Sequence, residues 1–235
     1  MKVLVACEES QEVCKAFRDR GHEAYSADLQ ACSGGHPEWH IKGDVLPLLN
    51  GNCIFMTEGG QWIHIEGTWD LLIAHPPCTY LTGVGNRHFS LRMTPAEKVV
   101  QRWSDRCEAV IFFMQCALAD CERIAVENPI GFMGHWRKPD QIINPYQFAE
   151  SVNDMENYQM KTTCLWLKNL SKLRTNNLPK PEPVKTYVNI SGKTKRRYFE
   201  ENHGVIDGKK HGGNDAKARS KTFPGIAKAM AEQWG

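Results

Sequence analysis

Short apolar runs alternate with stretches of helical periodicity over the first 130 residues. This pattern predicts strands at 2–7, 22–27, 69–74 and 123–127, a third strand ending near Ile41, a hairpin at 53–66 around Gly59-Gly60, and helices at 11–20 and 94–120. Thr94-Pro-Ala-Glu97 has the residue types of a helix start, with threonine as the N-cap and proline at the first helical position. Strands that alternate with helices pair in parallel, so we expect an α/β protein with a doubly wound, mostly parallel sheet.

The pattern weakens from about Leu170 onwards. Pro179, Pro181 and Pro183 introduce a region rich in glycine and basic residues, which predicts loops or weak strands. The final Phe223–Trp234 is amphipathic and is predicted to be helical.

Composition excludes several classes of protein. The chain has 235 residues, of which 41% are hydrophobic and 24% charged, as in globular proteins. It contains no apolar run of the roughly 18 residues that a membrane span needs, and Met1 leads directly into a predicted strand, so we expect a cytoplasmic protein without a membrane partner. The nine cysteines never form Cys-x-x-Cys, so neither a disulfide framework nor a metal site is expected.

The net charge of +2 hides an asymmetry along the chain. Residues 1–160 carry 13 Lys+Arg against 21 Asp+Glu, which is −8, whereas residues 161–235 carry 16 against 6, which is +10. Clustered cations gain affinity for a polyanion by releasing its counterions, so the basic part is a candidate nucleic-acid surface. A solvated basic surface explains the same charges equally well.

Two polar segments directly follow predicted buried strands. His75-Pro-Pro-Cys-Thr79 follows the strand at 69–74, and Glu127-Asn-Pro129 follows the strand at 123–126. Ligands of open parallel sheets bind beyond the carboxyl ends of the strands. A cysteine at such a turn can act as a nucleophile, and a carboxylate from the neighbouring strand can hold a proton. The sequence therefore predicts chemistry at this edge that uses Cys78 and Glu127.

These segments resemble motifs of the DNA cytosine-5 methyltransferase family and occur in the family's order. Pro77-Cys78 resembles its Pro-Cys nucleophile motif, and Glu127-Asn128-Pro129 resembles its Glu-Asn-Val motif, whose glutamate contacts the target cytosine. Four further resemblances are less specific. Gly43-Asp44-Val45 resembles the Gly-Asp-Ile segment near the cofactor adenine, and Asp28 resembles the acid that accepts ribose hydroxyls. Tyr158–Thr163 resembles the Gln-x-Arg-x-Arg motif, and Thr222–Ala231 resembles the closing motif. The resemblance covers nearly the whole chain and is to compact members carried by phages and prophages.

The resemblance implies a Rossmann-like class I methyltransferase fold that uses S-adenosylmethionine on double-stranded DNA with the target base flipped out. Residues 1–168 would form the catalytic domain, 169–218 a small basic target-recognition segment, and 219–235 a helix that packs back on the catalytic domain. A monomer is implied, acting in the bacterial host cytoplasm in DNA methylation such as restriction-modification. The catalytic residues implied are Cys78, Glu127, Pro77, Asn128 and Lys161. The implied cofactor contacts are Cys7, Glu8, Asp28, Leu29, Asp44, Val45, His75 and Pro76.

The sequence departs from the family at several motif positions. The Phe-x-Gly-x-Gly cofactor loop is replaced by Ala6-Cys-Glu-Glu-Ser-Gln11, which contains no glycine. Thr79 stands where the family has glutamine, Pro129 where it has valine, and Lys161 and Thr163 where it has arginines. For Asp28 and Asp44, capping or turn formation is the alternative to cofactor contact.

The chemistry implied by the resemblance follows from the weak nucleophilicity of cytosine C5. A Cys78 thiolate that adds at C6 converts the ring into an enamine, while Glu127 shares a proton with N3. A basic cluster with stacking-capable rings is the expected nucleic-acid surface, namely Lys193, Lys195, Arg196, Arg197 and Tyr198. A solvated loop is its alternative.

Three other functions remain open at this point. One is methylation of RNA by the same residues. Another is methylation of an exocyclic amine, whose Asp/Asn-Pro-Pro-aromatic motif resembles His75-Pro-Pro-Cys78 but differs at both ends. The third is a non-catalytic nucleic-acid-binding module stabilised by a metal at His75, Cys78, Cys116 and Cys121, although their spacing is irregular.

Overall fold

The apolar runs of the sequence form the centre of a seven-stranded sheet. The structure is a computed structural model that describes residues 1–183, 185–188, 192, 194–197, 205–206, 209–210 and 221–235. The strands of this sheet are β1 (Lys2–Ala6), β2 (Glu23–Asp28), β3 (His40–Lys42), β6 (Leu71–Ala74), β7 (Ile124–Asn128), β8 (Gln141–Ile143) and β9 (Thr163–Lys168). The helices are α1 (Glu12–Arg18), α2 (Ala96–Ala117) and α3 (Pro224–Trp234).

Three pairs of short antiparallel strands lie outside this sheet. The first is the hairpin of β4 (Cys53–Met56) and β5 (Trp62–Ile65), which confirms the predicted hairpin. The others are β10 (Lys185–Val188) with β11 (Thr194–Arg197), and β12 (Val205–Ile206) with β13 (Lys209–Lys210).

The spatial order of the large sheet is β3-β2-β1-β6-β7-β9-β8. The five strands from β3 to β7 pair in parallel, and β9 runs antiparallel to both of its neighbours. This confirms the predicted mostly parallel α/β sheet. The chain order reverses between β1 and β6, and ligands of open α/β sheets bind in the crevice at such a reversal.

Alternate residues of β6 pack on opposite faces of the sheet. Leu72 and Ala74 lie in one apolar cluster with Phe113 of α2, whereas Leu71 and Ile73 lie in the other with Phe17 of α1. The terminal helix α3 joins the second cluster through buried residues that include Ile226, Met230 and Trp234. A strand covered on both faces has apolar side chains throughout, which explains why the β6 run was recognisable in the sequence.

The sequence pattern located most helices and strands of residues 1–168 but misplaced some of their ends. The predicted Thr94 N-cap is wrong: Pro95 occupies the N-cap position of α2, and no side chain caps this helix start. The Val99 amide donates to the Pro95 carbonyl at 3.0 Å, so the helical hydrogen bonds begin one residue later than predicted. Helix α1 is shorter than predicted at both ends, α2 ends three residues earlier at Ala117, and the three-residue strand β8 was not predicted.

Within the described residues, no helix is both long enough and apolar enough to span a bilayer. All nine cysteines are among the described residues, and each is a thiol rather than part of a disulfide.

Candidate active site

The parallel register brings the two predicted catalytic segments to one edge of the sheet. Ala74, the last residue of β6, pairs with Ala6 of β1 on one side and with Val126 of β7 on the other. The His75 amide extends the ladder by donating to the Ala6 carbonyl at 2.9 Å. The turn that contains Cys78 therefore begins beside Glu127.

Asn128 ties the Pro-Pro-Cys turn to β7. Its side chain is buried, and Nδ2 donates to the carbonyl of Pro76 at 2.7 Å. Proline has no N–H, so Pro76 and Pro77 contribute no backbone donors to hold this turn, and the asparagine amide supplies one from outside. The Thr163 hydroxyl of β9 in turn donates to the Asn128 carbonyl at 3.4 Å.

A short backbone ladder makes a second connection between the two segments. Beyond Cys78, the Gly83 amide donates to the Ile130 carbonyl at 3.2 Å, and the Phe132 amide donates to the Leu81 carbonyl at 2.7 Å. Gly131 lies between these bonds, so close to Leu81 that a Cβ atom on Gly131 would be 2.0 Å from the Leu81 oxygen. Only glycine permits this approach.

A buried arginine organises the chain that follows Cys78. The Arg106 guanidinium of α2 lies 3.5 Å from the ring centroid of Phe89 and 4.8 Å from that of Phe132, and its Nε donates to the Tyr80 carbonyl at 2.8 Å. Sequence reasoning missed this residue. The signal was its position halfway between Val99 and Phe113, seven residues from each, which places Arg106 on the buried stripe of α2.

Glu127 and Lys161 line the same cavity, which lies between β7, β9 and the start of α3. Its other lining residues include Thr163, Lys221 and Phe223. The Lys161 ammonium donates to the Lys221 carbonyl at 3.2 Å and lies 5.2 Å from the Phe223 ring centroid. On its other side, the Glu127 carboxylate lies 3.4 Å from Nδ1 of His75. The structure thus brings together four of the predicted site segments.

Cys78 differs from most of the other cysteines in its exposure. Burial raises the pKa of seven thiols, to about 12 for Cys116 and about 11 for Cys164. The other five in this group are Cys7, Cys14, Cys32, Cys53 and Cys121. Cys78 and Cys107 are the two exposed cysteines, and of these only Cys78 lies at a strand end of the sheet. A thiol that must reach a substrate as thiolate needs such access.

The loop that replaces the glycine-rich motif uses other residues in left-handed backbone conformations. Cys7 has φ 62° and Gln11 has φ 59°, a region that favours glycine. The buried Glu8 carboxylate accepts the Val13 amide at 2.6 Å and the Cys14 amide at 3.1 Å, so it caps α1 from within the protein. Burial raises the pKa of Glu8. The amides of this helix start are therefore already occupied.

The other predicted cofactor residues lie at the ends of β2 and β3. Asp28 Oδ1 accepts the Gln30 amide at 2.8 Å, and Asp44 Oδ1 accepts the Leu46 amide at 3.0 Å, so each aspartate closes a local turn with one oxygen. Leu29 is exposed, whereas Val45 is buried. Turn formation thus occurs at both aspartates, and the predicted cofactor contacts stay predictions.

The site offers partners for one end of S-adenosylmethionine more clearly than for the other. Asp28 is a half-buried carboxylate at the end of β2, next to β1, where an acidic residue can accept ribose hydroxyls. The α1 amides do not suit the methionine carboxylate because Glu8 occupies them. The residues fit the nucleoside end, and the methionine end requires polar groups nearer to His75.

Three buried side-chain atoms lack a hydrogen-bond partner among the described residues, and all three belong to this region. They are His75 Nε2, Asn128 Oδ1 and Arg102 Nε, and the Arg102 guanidinium lies 5.1 Å from the ring centroid of Tyr80. Buried polar groups are nearly always paired, so the orphaned atoms of His75 and Asn128, which lie at neighbouring strand ends, indicate a place for a ligand.

The residues of the alternative metal-stabilised module do not come together. Cys116 and Cys121 lie in the apolar cluster beneath α2, whereas Cys78 is exposed. In the part of the chain that the structure describes, no group of three or more histidine, cysteine or acidic side chains is placed to hold a metal ion.

The predicted nucleic-acid surface falls largely outside the described residues. Lys193 and Tyr198 are not among them. Lys195, Arg196 and Arg197 lie in β11, whose backbone pairs with β10.

Comparisons with known proteins give one distant structural match. No protein-family model matches the chain, and no curated protein matches it. Among solved structures, it matches an E. coli protein described as a "putative DNA modification methyltransferase encoded within prophage", with 11% identity and a TM-score of 0.39. The match covers 77% of this chain and 52% of that one, so the chain spans about half the length of that protein.

The contact at Gly131 predicts an effect on stability. Gly131→Ala should lower the free energy of unfolding by about 1–3 kcal/mol, because the Leu81 carbonyl and with it the Cys78 turn must move away. Urea denaturation measures this change. Gly134→Ala is the matched control, since a Cβ at Gly134 meets nothing within 4 Å. Equal stability of the two variants would contradict the role of the close approach.

The buried Glu8 carboxyl predicts a pH dependence. The pKa of Glu8 in the folded protein is raised above the ordinary 4.5, so the folded state is stabilised by the protonated carboxyl. This contribution to the free energy of unfolding is fully present below pH 4.5 and is lost as pH rises through the folded-state pKa. Wild type should therefore become less stable relative to Glu8→Gln as pH rises through this window. Thermal unfolding of both proteins across the pH range measures this difference. A stability difference between the two proteins that stays constant, or that grows in favour of wild type, would contradict the prediction. Glu97→Gln, at the exposed start of α2, is the control.

The exposure of the cysteines predicts which thiols react first. N-ethylmaleimide at neutral pH should label Cys78 and Cys107 in the native protein well before the buried thiols, which burial keeps protonated. Peptide mass spectrometry after short exposures gives the order. Cys78→Ser and Cys107→Ser should each remove one early site. Early labelling of Cys14 or Cys116 would show that the sheet opens in solution.

Proposed function

We propose that this protein is an S-adenosylmethionine-dependent DNA methyltransferase that transfers a methyl group to C5 of cytosine through a covalent Cys78 adduct. The observation that supports this most is the hydrogen-bonded connection between the exposed Cys78 turn and the Glu127 strand end. The class I, Rossmann-like fold belongs to the same proposal. It is supported by the order of the five parallel strands, which is 3-2-1-4-5 once the hairpin is left out.

The role proposed for Cys78 follows from the substrate. Cytosine C5 is too weak a nucleophile to attack a sulfonium methyl group directly. When the Cys78 thiolate bonds to C6, the C5–C6 double bond is lost and C5 becomes the nucleophilic carbon of an enamine. When bound, S-adenosylmethionine supplies the methyl group. Removal of the C5 proton then restores the double bond and releases Cys78.

Glu127 is proposed to manage the proton at N3 of the base. Addition of the thiolate places negative charge on the ring, and a proton shared with N3 neutralises that charge. Lys161 lines the same cavity, and its ammonium group donates a hydrogen bond to the Lys221 carbonyl. An ammonium group has three donors, so Lys161 can donate a further hydrogen bond to the pyrimidine carbonyl. Asn128 and Pro77 act on the thiol only through the position of the turn.

The cofactor contacts are proposed on the edge between β2 and β6. Asp28 would accept the ribose hydroxyls, and the orphaned Nε2 of His75 offers one polar partner further along the edge. Leu29, exposed beside Asp28, offers an apolar surface to the adenine. Asp44, Val45, Cys7, Glu8 and Pro76 are proposed as its neighbours.

Double-stranded DNA is the proposed substrate, with its target base flipped out. C6 of a stacked cytosine is shielded, so a thiol fixed on a folded turn reaches it only when the base leaves the helix. The basic segment with Lys193, Lys195, Arg196, Arg197 and Tyr198 is proposed to hold the backbone phosphates.

Mass spectrometry of DNA incubated with the protein and S-adenosylmethionine tests this function. Wild type should form 5-methylcytosine, Cys78→Ser should lose at least about a thousandfold in rate, and Glu127→Gln about 10²–10⁴-fold. Cys107→Ser is the matched control because Cys107 is also exposed but lies on α2. Full activity of Cys78→Ser would refute the covalent mechanism.

A companion experiment distinguishes the competing reactions. Fluorine at C5 cannot leave as a proton, so 5-fluorocytosine DNA should accumulate a covalent adduct with wild type and none with Cys78→Ser. Methylated product without any adduct would instead indicate attack at the exocyclic amine. RNA incubated in parallel decides between the two nucleic acids.

A further inference from the structure

His75 connects the two strands that neighbour its own. Its backbone amide bonds to Ala6 of β1 at 2.9 Å, and Nδ1 of its ring lies 3.4 Å from Glu127 Oε2 of β7. The His75 side chain is 10% exposed and the Glu127 side chain 26%, so this contact is largely withdrawn from water. A distance of 3.4 Å is long for a hydrogen bond, and contacts of this kind often tighten only when a substrate binds.

The second ring nitrogen of His75, Nε2, lies in different surroundings from Nδ1. Its Nε2 is buried and has no partner among the described residues. A positive charge on His75 lowers the pKa of Glu8, opposing the larger effect of burial, which raises it. His75 is therefore flanked by one carboxylate from the β1 loop and one from β7, while Lys161 approaches Glu127 from the β9 side.

A second histidine–glutamate pair provides a contrast within the same protein. Nδ1 of His64 in β5 lies 3.9 Å from Oε1 of Glu66, the residue after that strand, but their side chains are 56% and 86% exposed. Solvent screens such a pair, and exposed ion pairs contribute little. The buried location therefore distinguishes the His75–Glu127 pair from an incidental surface contact.

We propose that His75 is a positioning residue that orients Glu127 and replenishes its proton. This inference rests on the proposed function of Glu127. The Nδ1–H of His75 donates to Oε2 and leaves Oε1 directed at the base. This arrangement gives a function to a largely buried polar ring at the end of β6.

The proton steps balance as follows. As the Cys78 sulfur bonds to C6, the C5–C6 π bond breaks, and N3 takes a proton from Glu127. The Glu127 carboxylate is then replenished by the Nδ1 proton of the His75 imidazolium, which becomes neutral. When the sulfur leaves, Glu127 returns a proton to Nδ1 of His75 and accepts the N3 proton, so that both groups regain their starting states. The C5 proton that the methyl group replaces passes to water. The proposed function supplies the methyl donor, and no oxidant is needed.

Nitrogen NMR of the histidine rings tests the contact without relying on activity. In protein labelled with ¹⁵N-histidine, Glu127→Gln should shift the ring signals of His75, which are assigned by their loss in His75→Gln. Glu66→Gln is the matched control and should shift only the signals of His64. Unchanged His75 signals in Glu127→Gln would overturn the proposal, whether or not the protein methylates DNA.

Kinetics test the consequence for catalysis. His75→Gln should lower kcat about 10- to 100-fold, as loss of a residue that supports a catalytic group does, while the KM for DNA changes less than about twofold. The adduct with 5-fluorocytosine DNA should form more slowly by the same factor. His64→Gln is the control, and its thermal unfolding midpoint and that of His75→Gln should match wild type.

The outcomes separate the two proposals. An unchanged kcat in His75→Gln overturns the role of His75 while leaving the methyltransferase function intact. If wild type itself forms neither methylated product nor adduct, the proposed function fails, and the NMR comparison still decides whether His75 and Glu127 are coupled.

Discussion

The hydrogen bond from the Asn128 side chain to the Pro76 carbonyl is the contact on which the candidate site depends. Two consecutive prolines stiffen the turn before Cys78 but provide no N–H to anchor it. Asn128 supplies that anchor at 2.7 Å from the end of the adjacent strand, the same strand that presents Glu127. Because the bond is buried, its loss would leave a carbonyl unsatisfied as well as a turn unattached. Together with the strand register and the backbone ladder at Gly131, this side-chain amide fixes the Cys78 turn relative to the strand of Glu127.

The sheet sets the conditions under which this contact can form. Parallel strands end at one edge, and the register of β6 with β1 and β7 aligns Ala6, Ala74 and Val126 as their last shared layer. Beyond that layer β6 and β7 continue into polar residues, which include the orphaned His75 and Asn128 atoms. The apolar central strands therefore meet an incompletely satisfied polar edge. Incomplete satisfaction is costly in a fold alone, but it is expected where a ligand completes the hydrogen bonds.

Local pattern was sufficient to predict the buried strands and that the segments after β6 and β7 lie at one edge of the sheet, because an all-apolar strand and the residues after it can be read directly from the chain. It was insufficient wherever a distant partner decides the structure. Glu8, four residues before α1, caps that helix from inside the protein through the Val13 and Cys14 amides. Arg106 could be placed on the buried face by its spacing, but its aromatic partners could not, since they come from separate segments.

The charge asymmetry acquires a different meaning once the Cys78 turn is located. The first 160 residues total −8, and a uniformly acidic body would repel DNA from the turn. Residues 79–106, however, carry five Lys+Arg against two Asp+Glu, and Arg87, Arg92 and Lys98 are exposed there. Charges act over a Debye length of about 10 Å at 0.1 M salt, so phosphates near Cys78 respond to this segment rather than to the total. Under the proposed function, the basic residues beyond 160 would contact phosphates further from the reacting base instead of offsetting repulsion at the site.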